Sequence, residues 1–141
     1  MKPPLKTASR LSKTPNEPPT LLVADDHAWF RSEVCQALLK ECGIRTLQAS
    51  NGLGAIRAVE RNPQLVAIVI DKRFDNGGPD GEEVLDTVRE RWPHVRRMLL
   101  TAYVDGGTIE RGLRFKFAVR DKAVPMSKLA KSVCEWFKNA A

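Results

Sequence analysis
Four acidic or polar positions and one lysine follow short aliphatic runs. Asp25 and Asp26 follow Leu21-Leu22-Val23-Ala24, and Asp71 ends the run Leu65-Val66-Ala67-Ile68-Val69-Ile70-Asp71. Thr101 ends Met98-Leu99-Leu100-Thr101, and Lys122 lies just past Phe117-Ala118-Val119-Arg120. If the runs are neighbouring strands of one parallel sheet, these side chains gather at its carboxyl edge, where open α/β sheets hold ligands and reactive groups. Three carboxylates crowded there repel one another unless something positive joins them. A hard divalent cation with oxygen ligands, such as Mg²⁺, meets that need. A hydroxyl and an ammonium at adjacent strand ends would then hold the oxygens of a phosphoryl group transferred to one carboxylate. Asp71, on the most apolar run, is the candidate nucleophile.

The elements that must position these residues are legible as alternating patterns. Strands are expected over 20–24, 45–49, 66–70, 97–101 and 117–120, because short aliphatic runs bounded by turn residues read as buried strands. Between them, 27–41 carries Phe30, Val34, Ala37 and Leu38 on one helical face and stops at Gly43. A second helix places Leu53, Ile56 and Val59 inward and ends at Asn62-Pro63. A third, with Asp80 as its N-cap, carries Val84, Leu85, Val88 and Trp92 and ends before Pro93. Gly106, Gly107 and Gly112 fall in the fourth. Each costs about 1 kcal/mol relative to alanine, so this helix is expected to be short, frayed or displaced. Pro125 opens a fifth helix with Leu129, Val133 and Phe137 inward. Five βα units in series predict an α/β fold with a doubly wound, five-stranded parallel sheet and right-handed crossovers.

With 141 residues and 43% apolar content, the chain suits one ordinary domain. The formal charge of +6 is not concentrated on that domain. Half of it lies in the first 20 residues, where Lys2, Lys6, Arg10 and Lys13 oppose Glu17; the remainder argues against nucleic-acid binding. Residues 1–19, with five prolines and little apolar content, are expected to form a disordered basic leader, and 20–141 the folded domain. Neither a membrane span nor a signal-peptide core is present in the sequence. Cys35, Cys42 and Cys134 include no C-x-x-C pair and are odd in number. The set points to a protein from a reducing cytoplasm, with Cys35 and Cys42 as packing residues. Two histidines, His27 and His94, make a zinc site improbable.

Taken in order, these motifs resemble the receiver domain of two-component response regulators over roughly residues 20–139. Asp25 and Asp26, in Leu22-Val23-Ala24-Asp25-Asp26-His27, match its acidic pair. Asp71 matches its phosphorylated aspartate, Thr101 its hydroxyl residue and Lys122 its phosphate-contacting lysine. Leu129 matches the core leucine seven residues after that lysine. The resemblance implies a flavodoxin-like (βα)5 fold with strand order 2-1-3-4-5. It also implies a signalling phosphoacceptor in place of an enzyme acting on an external substrate. Asp71 would take a phosphoryl group from a histidine kinase or phosphotransfer protein. Mg²⁺ would be held by Asp26, Asp71, Asp25 through water, and the carbonyl of Arg73. Thr101 and Lys122 would hold the phosphoryl oxygens. Output would pass to a downstream protein effector, to onward phosphotransfer or to a phosphorylation-dependent homodimer.

Several residues depart from the family pattern. The loop after Asp71 has Asp75 where proline is usual, and Gly81 comes two places late, which lengthens it and adds flexibility. Phe74 is expected in the loop's apolar slot, while Asp75 and Asp80 stand near enough in sequence to approach the metal. Ala123 replaces the proline that usually follows the lysine, and Val119 stands where a switch aromatic is usual. Tyr103 is a candidate substitute for that aromatic, and with Arg73 it is placed to slow loss of phosphate. A second reading, a degenerate receiver acting as a constitutive scaffold, follows from Val119, the lengthened loop and the glycine-rich helix. An external-substrate phosphatase is weaker, since Arg73 occupies the place of its second acid.

Overall fold
In the computed structural model residues 19–139 are described, so the leader expected over 1–19 lies, but for Pro19, outside the described residues. Strands and helices alternate throughout: β1 (Thr20–Ala24), α1 (Ala28–Cys42), β2 (Arg45–Ala49), α2 (Gly52–Arg61), β3 (Leu65–Asp71), α3 (Gly81–Arg91), β4 (Arg96–Thr101), α4 (Gly106–Phe115), β5 (Ala118–Asp121) and α5 (Met126–Lys138). All strand pairs are parallel and the order is β2-β1-β3-β4-β5, the doubly wound flavodoxin-like sheet that was expected. β3 is central and covered on both faces, which is why its apolar run is unbroken.

Successive side chains of the strands point to opposite faces, and two cores result. Leu21, Val23, Ala67, Val69, Met98 and Leu100 pack against Val34 and Leu38 of α1 and Leu129 and Val133 of α5. Leu22, Ala24, Ile68, Ile70 and Leu99 pack against Ala55 and Val59 of α2 and Val84, Leu85 and Val88 of α3. Each such leucine or isoleucine stabilises the fold by roughly 2 kcal/mol. Helix ends follow from local chemistry. Gly43 closes α1 in the left-handed conformation, at φ 68°. Asn51 caps α2 by accepting from Gly54 N, and Asp80 and Glu83 form a reciprocal capping box on α3.

Three expectations are corrected. Leu53 is largely exposed, and α2 buries Gly52, Ala55 and Val59 in its place. The fourth helix is neither short nor frayed: α4 runs for 10 residues. Its glycines lower intrinsic helicity, but Asp105 caps it by accepting from Thr108 N at 2.8 Å. Gly112 is required there, since a Cβ would stand 2.8 Å from the Phe117 carbonyl oxygen and 3.0 Å from Val119 Cγ2. Glycine thus lets α4 lie directly on β5.

The third correction concerns the cysteines. Cys42, at the end of α1, is disulfide-bonded to Cys134 of α5, with Cα atoms 6.3 Å apart. Only Cys35 is a free, buried packing residue. The pairing spans 92 residues. It arises because α1 and α5 share one face of the sheet, a proximity that cysteine spacing along the chain does not reveal. Among the described residues no helix is long and apolar enough to cross a membrane.

Closing a loop of that length restricts the unfolded chain. Cys42→Ser should therefore lower the unfolding free energy by about 2–4 kcal/mol against the oxidised protein, and dithiothreitol should bring the wild type down to the variant. Urea melts with and without reductant check this; a wild type indifferent to reductant would show that the bond is not formed.

Candidate functional site
Strand register brings the expected residues together. Ala24 pairs with Ile70, so Asp25 and Asp71 leave neighbouring strands side by side. Asp71 pairs with Leu100, and Thr101 with Asp121, which puts the hydroxyl and Lys122 next along the same edge. Asp25, Asp71 and Thr101 are all buried, at 1%, 8% and 6% exposure. Close approach of α3 helps enclose them. Its first residue, Gly81, would place a Cβ against the Asp71 carbonyl oxygen, and Gly81 N donates to the Lys72 carbonyl at 2.9 Å.

Lys122 joins the two carboxylates, its Nζ donating to Asp25 Oδ2 at 2.6 Å and to Asp71 Oδ1 at 3.2 Å. The backbone aims it without the usual proline: Lys122 N donates to the Thr101 carbonyl at 2.9 Å, and the ammonium lies 4.5 Å from the centre of the Phe30 ring. Burial, and next the charge of Asp25, push the Asp71 carboxyl up to about 6 against the opposing pull of Lys122. Burial alone would lower the Lys122 pKa; its bonds and charge contacts with Asp25 and Asp71 outweigh this and raise it.

Asp26 sits at the outer corner. Its Oδ2 accepts from Asp75 N at 2.7 Å, whereas its Oδ1 is buried without a hydrogen-bond partner. His27 Nδ1 lies 3.2 Å from that oxygen and 3.4 Å from Asp25 Oδ1, close enough for an ion pair when protonated. Asp25, Asp26 and His27 could hold one metal ion, their donor atoms lying within 4.8 Å of one another. His27 was not among the expected donors, although it directly follows the acidic pair. Asp71 is turned to Lys122 and stands outside that group.

The remaining candidates divide. Arg73 and Tyr103 line a cavity of about 310 Å³ together with Asp71, Lys72, Thr101 and Asp105. Thr101 Oγ1 donates to the Tyr103 carbonyl at 3.1 Å and accepts from Tyr103 N at 3.2 Å. The Tyr103 ring is 74% exposed, so it does not replace the absent aromatic in this structure. Phe74 packs into the α2–α3 layer as expected. Asp75 meets Asp26 through its backbone, and Asp80 caps α3 in place of approaching the acidic corner. A larger cleft of about 370 Å³, over Leu85, Phe115 and Phe117 between α3 and α4, contains none of the five side chains.

A parallel 2-1-3-4-5 sheet with a cluster of aspartates at its carboxyl edge is the receiver fold of response regulators. Among solved structures, the chain superposes on the signal receiver domain of a putative Luxo repressor protein from Vibrio parahaemolyticus with a TM-score of 0.77, at 20% identity, covering 88% of this chain and 93% of that one. It also matches a CheX-CheY-BeF3-Mg complex from Borrelia burgdorferi, at a TM-score of 0.74 and 16% identity, over 84% of this chain and 88% of that one. Two curated regulatory proteins are similar in sequence. The hydrogenase transcriptional regulatory protein HoxA of Cupriavidus necator is 32% identical over 94 residues, and the photosynthetic apparatus regulatory protein RegA of Rhodobacter capsulatus is 33% identical over 84. Those matches take in 67% and 60% of this chain but only 18% and 44% of the relatives. No family model matches the chain.

A carboxyl whose pKa is raised on folding holds its proton more tightly in the folded state. Its contribution favours folding below about pH 4 and is lost as pH rises through about 6. Asp71→Asn should accordingly be more stable than wild type at pH 8 by roughly 1–3 kcal/mol, with the gap closing at pH 4. Denaturant melts at the two pH values check the sign.

Proposed function
We propose that the chain is a phosphoacceptor receiver, taking a phosphoryl group on Asp71 from a histidine kinase or phosphotransfer protein and signalling through a phosphorylation-dependent protein contact. The observation that carries this is the Lys122 ammonium joining buried Asp25 and Asp71 at a strand edge, with Thr101 beside them. In the transfer, an Asp71 carboxylate oxygen forms a bond to phosphorus as the P–N bond of a phosphohistidine breaks, and the released imidazole nitrogen takes up a proton. Lys122 and Thr101 are placed to hold phosphoryl oxygens; the catalytic contribution is positioning and charge stabilisation. For this Thr101 Oγ1 must leave its own loop, where it bonds to Tyr103.

Mg²⁺ fits the outer corner, because the buried Asp26 Oδ1, which has no hydrogen-bond partner, is an oxygen donor that a cation would satisfy. Asp26, Asp71, Asp25 through water and the Arg73 carbonyl would hold it, and it would neutralise charge that develops on the transferred group. Arg73 and Tyr103, in the walls of the Asp71 cavity, narrow the approach of water to an aspartyl phosphate, so its hydrolysis is slow. A protein effector completes the proposal; the Cys42–Cys134 bond withdraws the cysteine argument for a reducing cytoplasm. The scaffold reading draws its support from half-buried Val119 and the exposed Tyr103 ring.

Intact-protein mass measurement after incubation with Mg²⁺ and acetyl phosphate separates the two. One phosphoryl adduct is expected on the wild type and none on Asp71→Asn; no adduct on either would leave only the scaffold. In the phosphorylated protein, Arg73→Ala with Tyr103→Ala should lose phosphate faster than wild type, and an unchanged decay would remove their assigned role.

A further inference from the structure
Lys72, the residue after Asp71, is not used by the chemistry above. Its Nζ donates at 3.0 Å to Thr108 Oγ1 in the first turn of α4, and Thr108 is fully buried. Arg111 reaches the same hydroxyl at 3.4 Å and is itself clamped by Glu82 of α3 through bonds of 2.6 and 2.9 Å. A polar chain therefore runs from the strand end that bears Asp71, through Lys72 and Thr108, to Arg111 and Glu82. It ties α4 at its start to β3 and at its middle to α3.

A neutral donor would satisfy the buried hydroxyl equally well, and the choice of an ammonium is what carries meaning. Lys72 and Asp71 line the same cavity, and so does Asp105, the cap of α4, whose carboxylate lies close enough to Lys72 to be stabilised by its charge. The bond from the Lys72 ammonium to the neutral Thr108 hydroxyl lacks the ion-pair attraction that a phosphoryl group, with negative charge on its oxygens, would add. Each added negative charge at Asp71 tips that balance away from Thr108. The helix it would release is one that glycines at 106, 107 and 112 leave poorly stable by itself. Val119 offers no aromatic bridge from Thr101, and the Tyr103 ring points to solvent, so neither carries the state of Asp71 to α4.

We infer that Lys72 is a positioning residue that makes the placement of α4 depend on the charge at Asp71: phosphorylation draws its ammonium off Thr108 and frees the first turn of α4. This rests on the phosphoacceptor reading. It is tested with the full chain by hydrogen exchange over 105–115, with and without Mg²⁺ and acetyl phosphate, the adduct being weighed in each sample. In the wild type, exchange of these amides should rise several-fold on phosphorylation. Lys72→Met should gain the phosphoryl mass yet show the same α4 exchange in both states, and Lys72→Arg should restore the difference. If phosphorylated Lys72→Met changes as the wild type does, or if the adduct leaves wild-type α4 unchanged, Lys72 is only a structural tie and the inference is overturned. If no protein gains mass, the phosphoacceptor reading has failed and this inference falls with it, a result the weighing tells apart from the others.

Discussion
Two buried carboxylates side by side are the constraint on which the upper edge of this protein depends. The pairing of β1 with β3 leaves Asp25 and Asp71 no separate exits, and at 1% and 8% exposure neither has water enough to screen it. Lys122 is therefore a structural requirement as much as a functional one. Its backbone bond to Thr101 fixes where β5 must end, and its ammonium at 2.6 and 3.2 Å offsets repulsion that would otherwise push the strands apart. Even so Lys122 bonds only two of the three acids. Asp71 remains harder to ionise than a free carboxyl, and Asp26 keeps one buried oxygen without a hydrogen-bond partner. The edge is held together while still short of positive charge, a condition that favours both a divalent ion and a modifying group that brings one with it.

Around that edge, the loop after Asp71 is more constrained than its composition suggests. Gly77 and Gly78 adopt the left-handed conformation, which only glycine takes without strain, and the segment looked merely long and flexible. Phe74 anchors it in the α2–α3 layer, Asp75 N ties it to Asp26, and Asn76 Nδ2 reaches the Ser50 carbonyl at 3.3 Å. The loop is thus fastened at three successive residues before the glycines turn it.

Where local chemistry decided the outcome, the sequence was readable. The aliphatic runs ending in Asp71 and Thr101 declared buried parallel strands, and Asp80 declared the start of α3. Residues gathered at the carboxyl edge could be named because parallel strands all present their ends there. Features that depend on packing between distant elements were not readable. Nothing near Cys42 points to Cys134, because only the docking of α1 against α5 makes them neighbours. The glycines of α4 read as weakness, yet Gly112 is there because β5 lies too close for any side chain. Leu53 fits a helical apolar stripe, but in α2 the sheet is covered by smaller Ala55 and Val59, leaving Leu53 in solvent.

The covalent link between α1 and α5 also gives the molecule a keel. On that side of the sheet two helices are joined and must travel together, so any displacement there is shared across both and resisted by the core beneath them. On the other side α4 has no covalent partner and rests on β5 through a glycine, fastened by a cap and a few polar side chains. Mechanical compliance is therefore lopsided: one flank serves as ballast, and the other is where a small change of charge has the least mass to move.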